Sequence, residues 1–184
     1  MNYSELIKSS TTGDHQAFQK LVESLEPLVA STVIGMLGNS PESEDVGQET
    51  FIRLYKSLGS FKGDSSIETY VTRIAINLSI NELKKRKRRS MIFKSAETDI
   101  DLGNLSDHKN PQDEEANRQL IEYGLKKLKP EFKAVIVLRL INGYSVKETA
   151  KVLNVAEGTV LSRLARAQGK LRKILTPLLG DHRG

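Results

Sequence analysis

The sequence has no cysteine among its 184 residues and only three histidines, which lie far apart. Without cysteine the chain can form neither disulfides nor thiolate metal sites, and scattered histidines do not predict a metal centre. No stretch is long and apolar enough to span a bilayer, and residues 1–10 lack the pattern of a signal peptide. These absences predict a cytoplasmic protein with no membrane insertion, no metal and no other cofactor.

The alternating runs and hairpin turns that predict β-strands are also missing, and so is an internal repeat. Amphipathic helical spacing occurs instead on both sides of a stretch rich in Gly, Asn, Ser and Pro. This stretch is acidic, because residues 97–115 contain seven carboxylates and a single lysine, Lys109. We therefore predict an all-α fold of two small helical domains, residues 1–90 and 112–184, joined by a flexible acidic linker over residues 91–111.

Arrangements typical of enzymes are not found either. The sequence shows no carboxylate pair, nucleophile constellation or glycine-rich phosphate loop at an informative spacing, so we predict that the chain is not an enzyme. Its formal net charge of +5 suits a polyanionic partner, and six consecutive cations, KKRKRR, run from Lys84 to Arg89. Charge and its clustering thus favour a binding protein.

A helix-turn-helix is predicted between Ser145 and Leu171. Ser145 and Glu148 have the spacing of a capping box, and Asn154 suits the left-handed turn that separates a short helix from a longer cationic one. An amphipathic surface helix with solvated cations has the same composition, but the capped first helix and the Asn154 turn favour DNA binding in the major groove. The candidates for contacts to bases or phosphates are Lys147, Thr159, Ser162, Arg163, Arg166 and Lys170.

The helix predicted to begin at Ser40 and Pro41 has two stripes. One contains Leu54 and Leu58 and should face the core. The second combines carboxylates, an amide and an exposed aliphatic residue, which suits either a solvated face or a docking surface for another protein. Its members are Asp45, Gln48, Glu49 and Ile52.

The next predicted helix begins with a capping box at Ser65 and Glu68 and continues to Arg89. A polar row follows one side of it at near four-residue steps, and such a row can track a phosphate backbone. The row contains Arg73, Asn77, Asn81, Lys84 or Lys85, and Arg88. Phe61 or Tyr70 beside it can stack on an unpaired base. The alternatives are that the cations form a solvated helix end and that the aromatic residues belong to the core. The occurrence of the polar row, the cations and an aromatic residue on one helix favours a nucleic-acid surface.

These segments together resemble the extracytoplasmic-function class of bacterial sigma factors. EDVGQETFIRLYKSL, residues 44–58, is similar to the segment of region two that binds core RNA polymerase. The segment from Phe61 to Arg89 is similar to the parts that melt the promoter and read its minus-ten element. The segment from Leu128 to Lys173 resembles region four, which reads the minus-thirty-five element.

The resemblance implies a non-catalytic factor that joins core RNA polymerase, places it at a promoter and helps to open the duplex. Asp45, Gln48 and Glu49, with Ile52 beside them, match positions that bind the beta-prime clamp helices, and the beta subunit and promoter DNA are further implied partners. An anti-sigma protein is another, since the family often has one. The loop from Phe61 to Ser65 matches the one that captures a flipped base.

The minus-ten and melting residues implied by the resemblance form one set. They are Phe61, Lys62, Gly63, Asp64, Ser65, Tyr70, Arg73, Asn77, Asn81, Lys84, Lys85, Arg88 and Arg89. Within the set, Arg73 and the whole run from Lys84 to Arg89 are implied to hold backbone phosphates, while Asn77 and Asn81 lie on the helix that forms the base site.

An alternative is a stand-alone helix-turn-helix regulator that binds operators as a dimer and uses residues 1–89 as an effector or dimer module. Comigration with core RNA polymerase distinguishes the two, because only the sigma factor should form that complex.

Overall fold

The computed structural model describes residues 2–94 and 114–179, and within these ranges the regular structure is helical throughout. The all-α prediction is therefore confirmed. The helices are α1 (Tyr3–Thr11), α2 (His15–Leu37), α3 (Pro41–Ser57), α4 (Ile67–Lys94), α5 (Glu114–Lys126), α6 (Pro130–Ile136), α7 (Val146–Leu153) and α8 (Glu157–Leu175). Short 3-10 turns cover Leu58–Ser60 and Thr176–Leu178, and a π-helical segment covers Val137–Ile141.

The N-terminal helices, α1–α4, pack around α2. The Asp14 carboxylate caps α2 by accepting hydrogen bonds from the backbone N–H groups of Gln16 and Ala17, at 2.9 and 3.0 Å. Leu21 and Leu25 on the same helix are fully buried against α3 and α4. This packing fixes the relative positions of α3 and α4, which carry the predicted polymerase and minus-ten residues.

The predicted cap of α4 is wrong by one residue. The helix begins at Ile67, and the Ser66 hydroxyl accepts a hydrogen bond from the backbone N–H of Thr69 at 3.2 Å. Ser66 can do this because it directly precedes the first helical residue, whereas Ser65 lies one position too early. Ser65 consequently stays in the loop that precedes α4.

The helix-turn-helix has the local structure that its sequence predicts. The Ser145 N–H donates to a Glu148 carboxylate oxygen at 2.8 Å, and the Glu148 N–H donates to the Ser145 hydroxyl at 3.2 Å. Hydrogen bonds to its carboxylate from the Ser145 hydroxyl, first, and from the Ser145 N–H lower the pKa of Glu148. Asn154 adopts φ 52° and ends α7, so the capping box and the left-handed turn are both confirmed.

The sequence predicts one regular helix from Pro130 to Gly143, but the structure changes pitch within it. α6 ends at Ile136, and the backbone continues as a wider turn in which the Asn142 N–H donates to the Val137 carbonyl at 2.9 Å. Gly143, at φ 72°, then reverses the chain. The wider turn places Asn142 and the residues after it against the N-terminal helices.

The C-terminal helices, α5–α8, pack directly on the N-terminal helices. Ala134, Val137 and Leu138 belong to the same buried cluster as the core residues of α2 and α4. Smaller clusters lie within the C-terminal helices alone, one around Leu125 and one around Val160. We call the contact between the two sets of helices the seam.

The predicted linker, residues 91–111, overlaps α4, which extends to Lys94. Residues 95–111, including the helix cap predicted at Asn110 and Pro111, lie outside the described residues. The assignment of domains therefore stays a prediction at these boundaries.

Candidate polymerase and nucleic-acid interfaces

The predicted docking residues share one outer face of α3. Asp45 and Gln48 are exposed, Ile52 is 46% exposed, and Glu49 is half-buried beside Arg53, whose Nε lies 2.8 Å from the Glu49 carboxylate. An acidic surface with an exposed aliphatic side chain is thus brought together on a helix whose other side is anchored by Leu54 in the core.

Sequence analysis missed Tyr55, which extends this face by one helical turn. Tyr55 is 44% exposed, and its ring meets Phe18 edge to face with 4.8 Å between the ring centroids. His15 at the start of α2 stacks on Tyr55, with 6.4 Å between the ring centroids. Its position three residues after Ile52 already indicates that Tyr55 lies on this face, because positions i and i+3 share a helical face.

Phe61 and Tyr70 form one aromatic pair at the start of α4. Their ring centroids are 5.0 Å apart, and both rings pack against the main core while the loop residues Lys62, Gly63 and Asp64 are exposed. The structure therefore brings the candidate capture loop and the candidate stacking residue together, as the sequence predicted for a site that accepts an unpaired base.

An open depression of about 450 Å³ adjoins the Phe61–Tyr70 pair. Its lining residues are Arg53, Lys56, Ser57, Tyr70 and Ile74. Cationic side chains beside an aromatic and an aliphatic surface match the chemistry of a nucleotide, which has a negative phosphate and a stacking base.

The polar row on α4 is largely exposed. Asn77, Asn81, Lys84, Lys85, Arg88 and Arg89 are exposed to solvent. Glu82, on the same helix, lies 3.6 Å from Arg89 and 3.8 Å from Lys85, so it offsets part of their charge. Arg73 differs from the rest, because it is half-buried and donates a hydrogen bond to the Lys151 carbonyl of α7 at 2.7 Å.

Arg86 points inward, although the resemblance implies a phosphate contact for the whole run from Lys84 to Arg89. Its guanidinium donates to the Leu37 carbonyl at 3.0 Å and to the Ser40 hydroxyl at 2.9 Å, and it lies 3.3 Å from the Glu42 carboxylate. Hydrogen bonds from the backbone and from Ser40 lower the pKa of Glu42, and the charge of Arg86 adds to this effect. Arg86 thus joins the end of α2, the start of α3 and α4.

This geometry predicts different effects for two arginines of one run. Arg86→Ala should lower the free energy of unfolding by about 1–3 kcal/mol, because charged hydrogen bonds to groups at two helix ends are lost. It should leave the salt dependence of promoter binding unchanged. Arg88→Ala should do the opposite, flattening the salt dependence by about one unit of slope for one phosphate contact. Denaturant unfolding and salt titrations of both variants in holoenzyme measure these effects; equal flattening by both would contradict the inward role.

The minus-thirty-five candidates are distributed over α7 and α8. Ser162, Arg166 and Lys170 are exposed on α8, and Lys147 is exposed on the first turn of α7. Thr159 and Arg163 are half-buried on the same side of α8 as Arg166. Buried Val160 and Ala167 lie on an adjacent side of the helix and anchor it against the rest of the C-terminal helices.

Lys170 is the most distant of these candidates from the start of α8. Its Nζ lies 5.5 Å from the ring centroid of Phe132, within the range of a cation–π contact. It is suited to a phosphate contact, since base edges are read by the first turns of such a helix.

Over residues 2–94 and 114–179, no cluster of His, Cys, Asp and Glu has the geometry of a metal site. In the same ranges no helix combines the length and the apolar character needed to cross a bilayer.

Comparison with known proteins identifies the family. Residues 21–89 match the pattern of Sigma-70 region 2, and residues 118–171 match that of Sigma-70 region 4. The chain is 33% identical to the ECF RNA polymerase sigma factor SigW of Bacillus subtilis, over 94% of this chain and 96% of that protein. It belongs to the extracytoplasmic-function sigma factors. As a member of this class it directs transcription initiation.

Other relatives agree with this assignment. This sigma factor is 30% identical to RNA polymerase sigma-H factor of Pseudomonas aeruginosa, with 96% of this chain and 95% of the relative covered. Its structure superposes on CnrH, solved in complex with the cytosolic domain of CnrY, with a TM-score of 0.69 and 25% identity over 94% of this chain and 96% of that chain. The same fold occurs in the sigma factor RpoE of Bartonella quintana, with a TM-score of 0.68 and 20% identity over 86% of this chain and 96% of that one.

The matched regions contain the surfaces described above. The region-two match runs from α2 to Arg89 and so includes the outer face of α3, the loop before α4 and the polar row. The region-four match includes the helix-turn-helix as far as Leu171.

Proposed function

We propose that this sigma factor binds core RNA polymerase through the outer face of α3, reads both promoter elements and helps to separate the DNA strands. The proposal rests on three surfaces that follow one another along the chain. They are the acidic and aliphatic face of α3, the aromatic pair with the polar row of α4, and the capped helix-turn-helix. The chain performs no catalysis of its own and acts in the cytoplasm.

The polymerase contact rests on Asp45, Gln48, Glu49 and Ile52. Their partner is the pair of clamp helices of the beta-prime subunit, with the beta subunit nearby. A carboxylate pair on a rigid, core-anchored helix gives this contact orientation, and the exposed Ile52 gives it apolar area. The proposed domain boundaries remain 1–90 and 112–184.

Promoter DNA contacts two separate surfaces. The exposed part of the row on α4 follows phosphates, while Phe61, Tyr70 and the loop between Lys62 and Ser65 accept an unpaired base. On the C-terminal helices, the exposed face of α8 enters the major groove with Ser162 and Arg166 toward the bases.

An anti-sigma protein is a further proposed partner. CnrH, with which this chain shares its fold over 94% of its length, was solved with the cytosolic domain of CnrY bound. A protein inhibitor that covers the outer face of α3 would keep this chain from polymerase.

The test is reconstitution with purified core RNA polymerase. The chain should comigrate with core on size exclusion, and the resulting holoenzyme should start transcripts at a specific subset of sites on a library of genomic fragments. Core alone should start none of these. A chain that stays free of core, yet binds duplex DNA tightly as a dimer, would instead support the stand-alone regulator.

A further inference from the structure

Leu161 is the one large apolar side chain that is exposed on α8, a helix that the structure describes from end to end. Its exposed fraction is 54%. Leu161 is the fifth residue of the helix, within its first two turns, and Ser162 follows it directly. Because the first turns of such a helix read base edges, an aliphatic side chain is exposed on the part of α8 proposed to enter the major groove.

The direction of Leu161 is fixed by the packing of its neighbours. Val160 is fully buried in a cluster with residues of α6 and α7, and Ala167 is fully buried in a second cluster. The helix therefore cannot rotate about its axis to turn Leu161 inward. Since successive residues of an α-helix differ by about 100° in direction, Leu161 and Arg163 lie on the two flanks of the face centred on Ser162.

The two flanks of this face differ in chemistry. A helix with its side chains is about 10–12 Å wide and the major groove is about 12 Å wide, so both flanks lie against base edges. Arg163 supplies hydrogen-bond donors on one flank, whereas Leu161 supplies no polar group on the other. Leu161 can therefore gain only from an apolar contact, and the apolar group that base pairs display in the major groove is the C5-methyl group of thymine.

Leu161 also extends beyond its neighbours on the same flank. Gly158, three residues earlier, is exposed, and a Cβ built on it would meet no atom within 4 Å. Ala165, four residues later, is exposed and has only a methyl group. Residues at these spacings share a helical face, so neither neighbour reaches past Leu161. Its terminal methyl groups are therefore free to contact a base edge.

We propose that Leu161 determines specificity by contacting the C5-methyl group of a thymine at one position of the minus-thirty-five element. The inference rests on the proposed function and adds to it a base that α8 selects. The contact removes apolar surface of both groups from water, which favours thymine. Cytosine at the same position lacks the methyl group and places an amino donor against a side chain that cannot accept its hydrogen bond, so cytosine is disfavoured twice.

Removing the methyl group from thymine tests the contact directly. Holoenzyme first selects sites from duplexes in which the minus-thirty-five element is randomised, and we expect a thymine preference that Leu161→Ala loses at one position. Each thymine of the selected element is then replaced, one at a time on each strand, by deoxyuridine, which lacks only the C5-methyl group. At one thymine the wild-type holoenzyme should lose about fourfold in affinity, as expected for one buried methyl group, and the Leu161→Ala holoenzyme almost nothing.

Leu179→Ala is the matched control. Leu179 is a leucine of nearly equal exposure, 53%, and it lies beyond the end of α8. This variant should keep both the thymine preference and the loss of affinity with deoxyuridine. Leu161→Met keeps an apolar side chain and should therefore retain part of the sensitivity to the methyl group, which a general disturbance of the helix would not produce.

Equal sensitivity of the wild-type and Leu161→Ala holoenzymes to deoxyuridine at every thymine would overturn the inference, and so would insensitivity of the wild type. Weaker assembly of Leu161→Ala with core polymerase, with an unchanged base preference, would overturn it as well and assign the side chain to a protein contact. If the wild-type holoenzyme selects no minus-thirty-five element at all, the proposed function itself fails, and this inference fails with it.

Discussion

Reversing the charges of Asp45 and Glu49 together, as Asp45→Lys with Glu49→Lys, should abolish assembly with core RNA polymerase. Both carboxylates lie on the outer face of α3, where Asp45 is exposed and Glu49 partly exposed, so the change replaces attraction by repulsion at the proposed docking surface. The Glu49–Arg53 pair that is lost is solvent-exposed and contributes little to stability. Helical circular dichroism and the melting temperature should therefore stay nearly unchanged.

The matched control is Glu23→Lys with Glu26→Lys, which makes the same change in net charge at exposed positions of α2. Assembly measured by size exclusion or fluorescence anisotropy should survive in the control. If the Asp45 and Glu49 double variant also assembles with normal affinity, polymerase binds this chain through another surface.

Replacing Phe61 to Asp64 with a Gly/Ser spacer should abolish promoter opening while core binding and the closed promoter complex persist. A flipped base loses stacking and pairing, a cost of a few kcal/mol that a pocket and nearby cations must offset. Permanganate reactivity of unpaired thymines should therefore disappear on duplex promoter DNA. A promoter with a pre-melted bubble should partly restore transcription, because its strands are already separated.

The structure adds a necessary control to this experiment. Phe61 packs on Tyr70 with 5.0 Å between ring centroids, so the spacer also removes an aromatic pair worth about 0.5–1.5 kcal/mol. A second variant that keeps Phe61 and replaces only Lys62 to Asp64 separates base capture from packing. Normal permanganate reactivity in both variants would transfer the melting role to Tyr70 and the exposed cations after Lys84.

Local signals explain what the sequence predicted correctly. The capping box of Ser145 and Glu148 and the turn at Asn154 involve residues within a few positions of one another, so their chemistry is visible without knowledge of the fold. The Asp14 cap of α2 is equally local, because it joins residues at most three positions apart. The one-residue error at Ser65 reflects competition between adjacent serines, because either can cap and only the start of the helix decides between them.

Long-range contacts explain what the sequence did not reveal. Arg86 is one of six adjacent cations, and its inward direction depends on the Leu37 carbonyl and Ser40, which belong to other helices. The seam likewise depends on pairs such as Tyr144 with Thr72, separated by 72 positions. Periodicity assigns residues to faces of a helix, but it does not say which face meets which partner.

Lys133 makes the seam sensitive to protons. Burial, followed by the charges of Arg86 and Lys126, lowers the pKa of Lys133 from 10.5 to about 8, while Glu122 acts in the opposite direction. When the chain unfolds, the side chain returns to water and its pKa rises again, so the unfolded chain binds more protons between these two values. The free energy of unfolding should therefore increase as the pH rises from about 8 toward 10.5, by up to about 3 kcal/mol from this group.

At neutral pH the ammonium is charged in the folded and in the unfolded chain, and the folded chain carries the cost of its burial. The seam is therefore less stable than its apolar contacts alone would make it. One buried ammonium between the region-two and region-four helices thus makes the stability of their packing depend on pH.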